Sequence, residues 1–138
     1  MDPINPRISS PSDSSVVPVG KGTRFINALV DGFLIGIASN AVSYAVLRNM
    51  NLPSLGILVS LAIQFFYYYM QEKNAGQTIG KRLTNTRAVM ADGSPLTDEA
   101  ARSRSLWRLI PLIDALSFLF SDVGWHDKYS NTRVVSNR

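Results

Sequence analysis

The stretch RFINALVDGFLIGIASNAVSYAVLR, Arg24 to Arg48, decides the fold. Asp31 is the one formally charged side chain among the twenty-three residues between its two arginines. At about 1.5 Å per residue a helix of that length reaches about 34 Å, enough to cross a hydrocarbon core of about 30 Å. A charge inside such a helix costs about 2.5–3.5 kcal/mol on insertion scales, so Asp31 is expected to face protein or water rather than acyl chains. Arg24 precedes it by two turns on the same stripe, close enough to the helix end to snorkel toward the headgroups. Gly32, Gly36, Ser39 and Ser43 recur at three- and four-residue spacing, with Asn40 nearby. That pattern lets helix backbones approach, either against the next span or against a second copy.

A second apolar block follows. Leu52 to Met70 carries no charge, starts beside Pro53, where a helix can begin, and ends in Phe65, Phe66, Tyr67, Tyr68 and Tyr69. Such a cluster reads as an aromatic belt at the membrane–water boundary. Gln64, the strongly polar side chain inside this block, is expected to bond Asp31 or Asn40. The chain therefore reads as an all-α membrane protein built on a two-span hairpin, about 25–47 and 52–70.

Composition narrows the class. The 138 residues allow one domain, 23–138, preceded by a tail over 1–22 that holds four of the seven prolines and is expected to be disordered. The tail has no apolar run before Phe25, so no cleaved leader is expected. A net charge of +4 comes from cations that flank the apolar blocks. That distribution suggests lipid headgroups as partners, and no nucleic acid. Cysteine is absent, which removes disulfides and thiolate metal sites.

The polar segment Gln71 to Ser105 carries Lys73, Lys81, Arg82, Arg87, Arg102 and Arg104, whereas the turn between the spans carries Arg48. The positive-inside rule then places this segment and the N-terminus in the cytoplasm. Within it, Gly76-Gln-Thr-Ile-Gly80-Lys81-Arg82 is not a phosphate loop, because the glycine spacing is short and Arg82 stands where Ser or Thr would bind magnesium. A glycine turn offering Lys81 and Arg82 to lipid phosphates is the expectation, with Arg104 and Arg108 as further headgroup contacts.

Leu106 to Val123 is apolar again but interrupted by Arg108, Pro111 and Asp114, and it can be re-entrant, interfacial or spanning. Asn85-Thr86-Arg87-Ala88-Val89 is echoed by Asn131-Thr132-Arg133-Val134-Val135. Paired as a small cytoplasmic two-stranded β element, the two runs must lie on one side of the membrane.

These residues resemble the RDD family of small bacterial membrane proteins. The resemblance rests on Arg24 and Asp31; on Gly76, Thr78, Gly80, Lys81 and Arg82; on Asp92 and Gly93; and on His126, Asp127, Lys128, Thr132, Val134 and Val135, over about Thr23 to Val135. Ser130 and Asn131 stand where the family often has Ala-Gly. The resemblance implies a bacterial cytoplasmic membrane and a fold more than an activity, with transport the role most often proposed.

Two functions follow from the polar residues. In the first, the protein is a subunit of a proton-coupled cation or small-solute transporter, homo-oligomeric, with Asp31 as the exchanging group and Asp114 a weaker candidate. In the second, it is a non-transporting interaction, assembly, immunity or accessory protein of the membrane. There Arg24, Asp31, Lys81 and Asp127 form a structural polar network, with Asp31 paired to Arg104 or Arg108 and Asp127 to Arg24 or Lys81. His126-Asp127 resembles a hydrolase metal motif, but a single histidine cannot build a dinuclear site. No metal, cofactor or enzymatic activity is expected.

Overall fold

The structure is a computed structural model that describes residues 17–48, 52–110 and 125–137. Two long helices come first, α1 (Lys21–Leu47) and α2 (Pro53–Ala75). A short α3 (Ile79–Leu83), β1 (Thr86–Met90), α4 (Asp98–Trp107), α5 (Trp125–Tyr129) and β2 (Thr132–Ser136) follow. The N-terminal tail 1–16 and residues 111–124, Asp114 among them, lie outside the described residues, so the third apolar segment is described only over Leu106 to Ile110. The expectation of disorder through Gly22 is corrected. Val19 N donates to Val134 O at 2.9 Å, Pro18 bridges Val135, and α1 already begins at Lys21.

α1 is inverted relative to a helix on a water-soluble protein. Its buried residues, Arg24, Asn27, Asp31, Ile35 and Ser39, recur every three or four positions, and four of the five are polar. Phe25, Ile26, Leu29, Phe33 and Ile37 point outward, with Phe33 70% exposed. Polar side chains inside and large apolar ones outside suit a hydrocarbon solvent, not water. Among the described residues α1 is the helix long and apolar enough to cross a membrane, and 17% of its apolar window is buried. Among the described residues Gly32 and Gly36 meet no neighbouring helix, since an added Cβ at either would find nothing within 4 Å.

The sheet has two antiparallel strands, with Ala88 opposite Val134 at its centre. This register explains the sequence echo. Asn85 and Asn131 both adopt φ 52°, a left-handed conformation that asparagine tolerates, and each turns a short helix into a strand. The hydroxyls around each turn match: Thr84 Oγ1 lies 3.0 Å from Thr86 Oγ1, and Ser130 Oγ lies 2.9 Å from Thr132 Oγ1. Helical turn, left-handed asparagine, buried threonine and strand thus occur twice, facing each other across the sheet. Both strands alternate so that Arg87 and Arg133 face out while Thr86, Ala88, Thr132 and Val134 face in.

Candidate functional site

Where α1, α2, α3, α4 and α5 meet, the core is ionic rather than apolar. Arg24, Asp31, Glu72, Lys81, Arg104, Arg108 and Asp127 are all buried there, with Asn27, Thr78, Thr86, His126 and Thr132 between them. Buried charges are retained when each is paired and hydrogen-bonded, because leaving one alone costs several kcal/mol.

Glu72 is the hub. It lies one helical turn beyond Tyr68 and past the apolar block that ends at Met70. Its Oε1 pairs with Lys81 Nζ and, at 3.2 Å, with Arg108 Nη2, and its Oε2 accepts from Arg104 Nε at 2.7 Å. Burial pushes the Glu72 carboxyl up, but Arg104, Arg108 and Lys81 outweigh burial and hold it well below the usual carboxylate range. Asp127, the second anion, pairs through Oδ1 with Arg104, and its Oδ2 lies 3.5 Å from Arg24 Nη1. Here too burial pushes upward and is overcome, chiefly by Arg104, so the carboxyl sits below its ordinary value. Thr132 Oγ1 accepts from Arg104 and lies 3.3 Å from Asp127 Oδ1, which ties β2 into the same cluster.

Arg108 is held from two sides. Its guanidinium lies over the Tyr68 ring at 4.1 Å, and its Nη2 is 3.3 Å from His126 Nε2. His126 Nε2 also lies 3.6 Å from Asp127 Oδ1, which sets the ring between Arg108 and Asp127.

Asp31 stands apart from the arginines. Its carboxylate accepts from Tyr67 Oη at 2.7 Å, Thr78 Oγ1 at 2.5 Å and the Gly80 backbone N–H at 2.8 Å. Thr78 also caps α3, accepting from Lys81 N at 3.3 Å, so one hydroxyl joins α1 to the start of α3. Gly80 makes this approach possible, since a Cβ there would sit 2.5 Å from the Asn27 carbonyl oxygen. Asn27 closes the corner by donating to Thr86 Oγ1 and accepting from Thr84 Oγ1.

Several expectations are therefore corrected. Lys81, Arg104 and Arg108 do not reach lipid headgroups, being 2%, 0% and 8% exposed and paired inside; Arg82 alone of that set is exposed. Asp31 meets no arginine but two hydroxyls and an amide, because α3, not α4, packs against its face of α1. Asp127 reaches Arg24 and Arg104, while Lys81 goes to Glu72. Gln64 donates to the Arg108 carbonyl rather than to Asp31 or Asn40, and Asn40 bonds Gly36 O in its own helix. Tyr67 and Tyr68 are not simple belt residues, since both are drawn into the ionic core, whereas Phe66 stays exposed. Among the described residues no three His, Asp or Glu side chains converge as a metal site would require.

Lys81 supplies a pH test of this arrangement. Burial, partly offset by Glu72, pulls its ammonium from 10.5 to about 8. Between those values the unfolded chain binds more protons than the folded one, so this group makes stability rise with pH from 8 toward 10.5. Below 8 both states are protonated and the cost of the buried charge is fully present. Unfolding of the detergent-solubilised protein at pH 7.5 and pH 10 is expected to show that gain, and Lys81→Met to flatten it. An equal pH response in both proteins would refute the depressed lysine.

The inverted α1 and the charge cluster beneath it define a small helical membrane protein with its polar groups turned inward. The model of the RDD family matches residues 18–131, and the chain belongs to that family. The match takes in Arg24, Asp31 and the Gly76–Arg82 segment, and it stops short of Thr132, Val134 and Val135. No curated protein and no solved structure matches the chain.

Proposed function

We propose that this protein is a non-transporting interaction or assembly protein of the membrane, with α1 and α2 as an N-in hairpin and the elements from α3 to β2 as its cytoplasmic face. The observation that carries this reading is the saturation of Asp31. Three donors from α2, the start of α3 and its backbone hold both carboxylate oxygens, and two of those donors are themselves fixed in the fold. An exchanging carboxylate has to change partners each cycle, whereas Asp31 joins three elements. The excess of cations after α2 over the single Arg48 in the turn supports the orientation. The β1–β2 pairing supports a return of the chain between them to the face it left.

Asp31→Asn decides between the two functions. Its amide nitrogen would face the hydroxyl and amide donors now satisfied by an oxygen, for a loss of about 1–3 kcal/mol. Purified wild type and variant in proteoliposomes are expected to give equal proton and cation flux, indistinguishable from empty vesicles, with a lower melting temperature for the variant. A flux above empty vesicles that Asp31→Asn abolishes would establish the carrier function instead.

A further inference from the structure

We propose that two short segments, α3 and the end of α4 with the turn after it, sink into the interfacial layer of the bilayer and grip the boundary between headgroups and acyl chains. The partner of this surface is the phospholipid layer itself. α1 fixes the depth. Its 27 residues reach about 40 Å, about 10 Å more than the hydrocarbon core. With Leu47 at one edge of that core, the other edge falls about twenty residues earlier, close to Ala28. α3 is bound at this level. Gly80 N–H donates to Asp31 Oδ1 at 2.8 Å, Thr78 Oγ1 donates to Asp31 Oδ2 at 2.5 Å, and Gly80 lies so close to Asn27 that no Cβ would fit.

The two faces of α3 suit that position. Gly80 and Lys81 are buried against the core, whereas Ile79, Arg82 and Leu83 share the opposite side and are exposed, Leu83 by 71%. Two apolar side chains one turn apart with a cation between them match the outer surface of α1, where Phe25 and Leu29 are exposed at the same level. Ile79 and Leu83 thus continue the lipid-facing surface, and Arg82 stands where it can snorkel to a lipid phosphate. The second segment gives the same depth independently, from α2. Gln64 lies inside the apolar block that ends at Met70, and its side chain donates to the Arg108 carbonyl. The Tyr68 ring, still within the block, lies under the Arg108 guanidinium. Leu106 and Ile110, four residues apart on this stretch, are both exposed. Each long helix therefore carries beside it, at the edge of the hydrocarbon, a short segment with an outward apolar pair. This inference rests on α1 as a membrane span and not on the choice between assembly and transport.

The test uses the full chain in vesicles of phosphatidylcholine and phosphatidylglycerol. The sequence has no cysteine, so single nitroxide labels can be placed through Leu83→Cys and Ile110→Cys, with Phe33→Cys in α1 and Ser94→Cys in a turn as references. All four positions are exposed, which keeps the labels out of the core. Relaxation by oxygen reports lipid around a label, and relaxation by a water-soluble nickel chelate reports water. The labels at Leu83 and Ile110 are expected about 5–10 Å inside the phosphate level, between those at Phe33 and Ser94. Arg82→Glu in the Leu83-labelled chain is expected to raise access to nickel, since anionic headgroups repel a carboxylate at that height. The proposal is overturned if the label at Leu83 or Ile110 is as open to nickel as that at Ser94 while Phe33 is sheltered. A Phe33 label open to nickel would instead overturn α1 as a span, and this proposal with it. An unchanged Leu83 label in Arg82→Glu would overturn the contact assigned to Arg82.

Discussion

Replacing Glu72 by glutamine is expected to leave little folded protein in the membrane. The substitution keeps the shape of the side chain and removes the charge that Lys81, Arg104 and Arg108 share. Removing one partner of a buried pair typically costs about 3–5 kcal/mol, because the other charge stays behind unpaired. Here three cations lose the same carboxylate, while a whole domain commonly has about 5–15 kcal/mol of stability. The yield of monodisperse protein after extraction is expected to collapse, and Lys81→Met in the same chain to restore part of it by removing one of the stranded cations. Glu72→Asp is expected to fall between, since one methylene less cannot reach all three partners. Glu72 also gives an acid signature. Its folded pKa is depressed, so its stabilisation is present above the ordinary carboxyl pKa and lost as pH falls through the folded value. Glu72→Gln melting within a degree of wild type would show that the ionic core is not what holds these helices together.

The second large effect is expected at Gly76. It ends α2 with φ 65°, in the left-handed region, and its N–H bonds Glu72 O at 2.8 Å. An L side chain there costs about 1–2 kcal/mol in backbone strain alone. The neighbour makes it worse, since a Cβ would sit 2.2 Å from the Ala88 carbonyl oxygen, which is backbone and cannot rotate away. Ala88 N meanwhile donates to Gly76 O at 2.7 Å, so moving β1 aside breaks that bond and shifts Thr86, which Asn27 holds. Gly76→Ala is expected to lower the melting temperature by more than 10 °C, at about 2–8 °C per kcal/mol. Gly32→Ala is the control: its Cβ would meet open space, so a change of no more than a degree or two is expected in the isolated chain. If both variants melt alike, the tight passage between α2 and β1 is not real.

How much of this was legible in the sequence depends on whether a residue's partner is near it in the pattern. The length and apolarity of α1 announce a membrane helix, and the inward turn of Asp31 follows from the cost of leaving it in oil. The repeated Asn-Thr-Arg segments announce the strand pair, because both turns need the same left-handed residue. Glu72 was not legible. It sits in the ordinary polar run Gln71-Glu72-Lys73-Asn74, and its partner Arg104 is 32 residues away. Lys81, Arg104 and Arg108 misled for the same reason, since cations next to apolar blocks are usually at headgroups. One signal was available in α4. Ala100, Ala101, Arg104, Ser105 and Arg108 share a stripe, and small residues flanking two arginines on one face mean that the face is covered.

The position of Asp127 in the chain has a consequence for how the molecule is made. Of the seven ionised groups that the described residues place in the core, it is the last to be synthesised, after Arg24, Lys81, Arg104 and Arg108. Cations that emerge beside a nascent membrane helix resist being carried across the bilayer. The cations that later knit the core together thus first act as an anchor, and Asp127 joins them last.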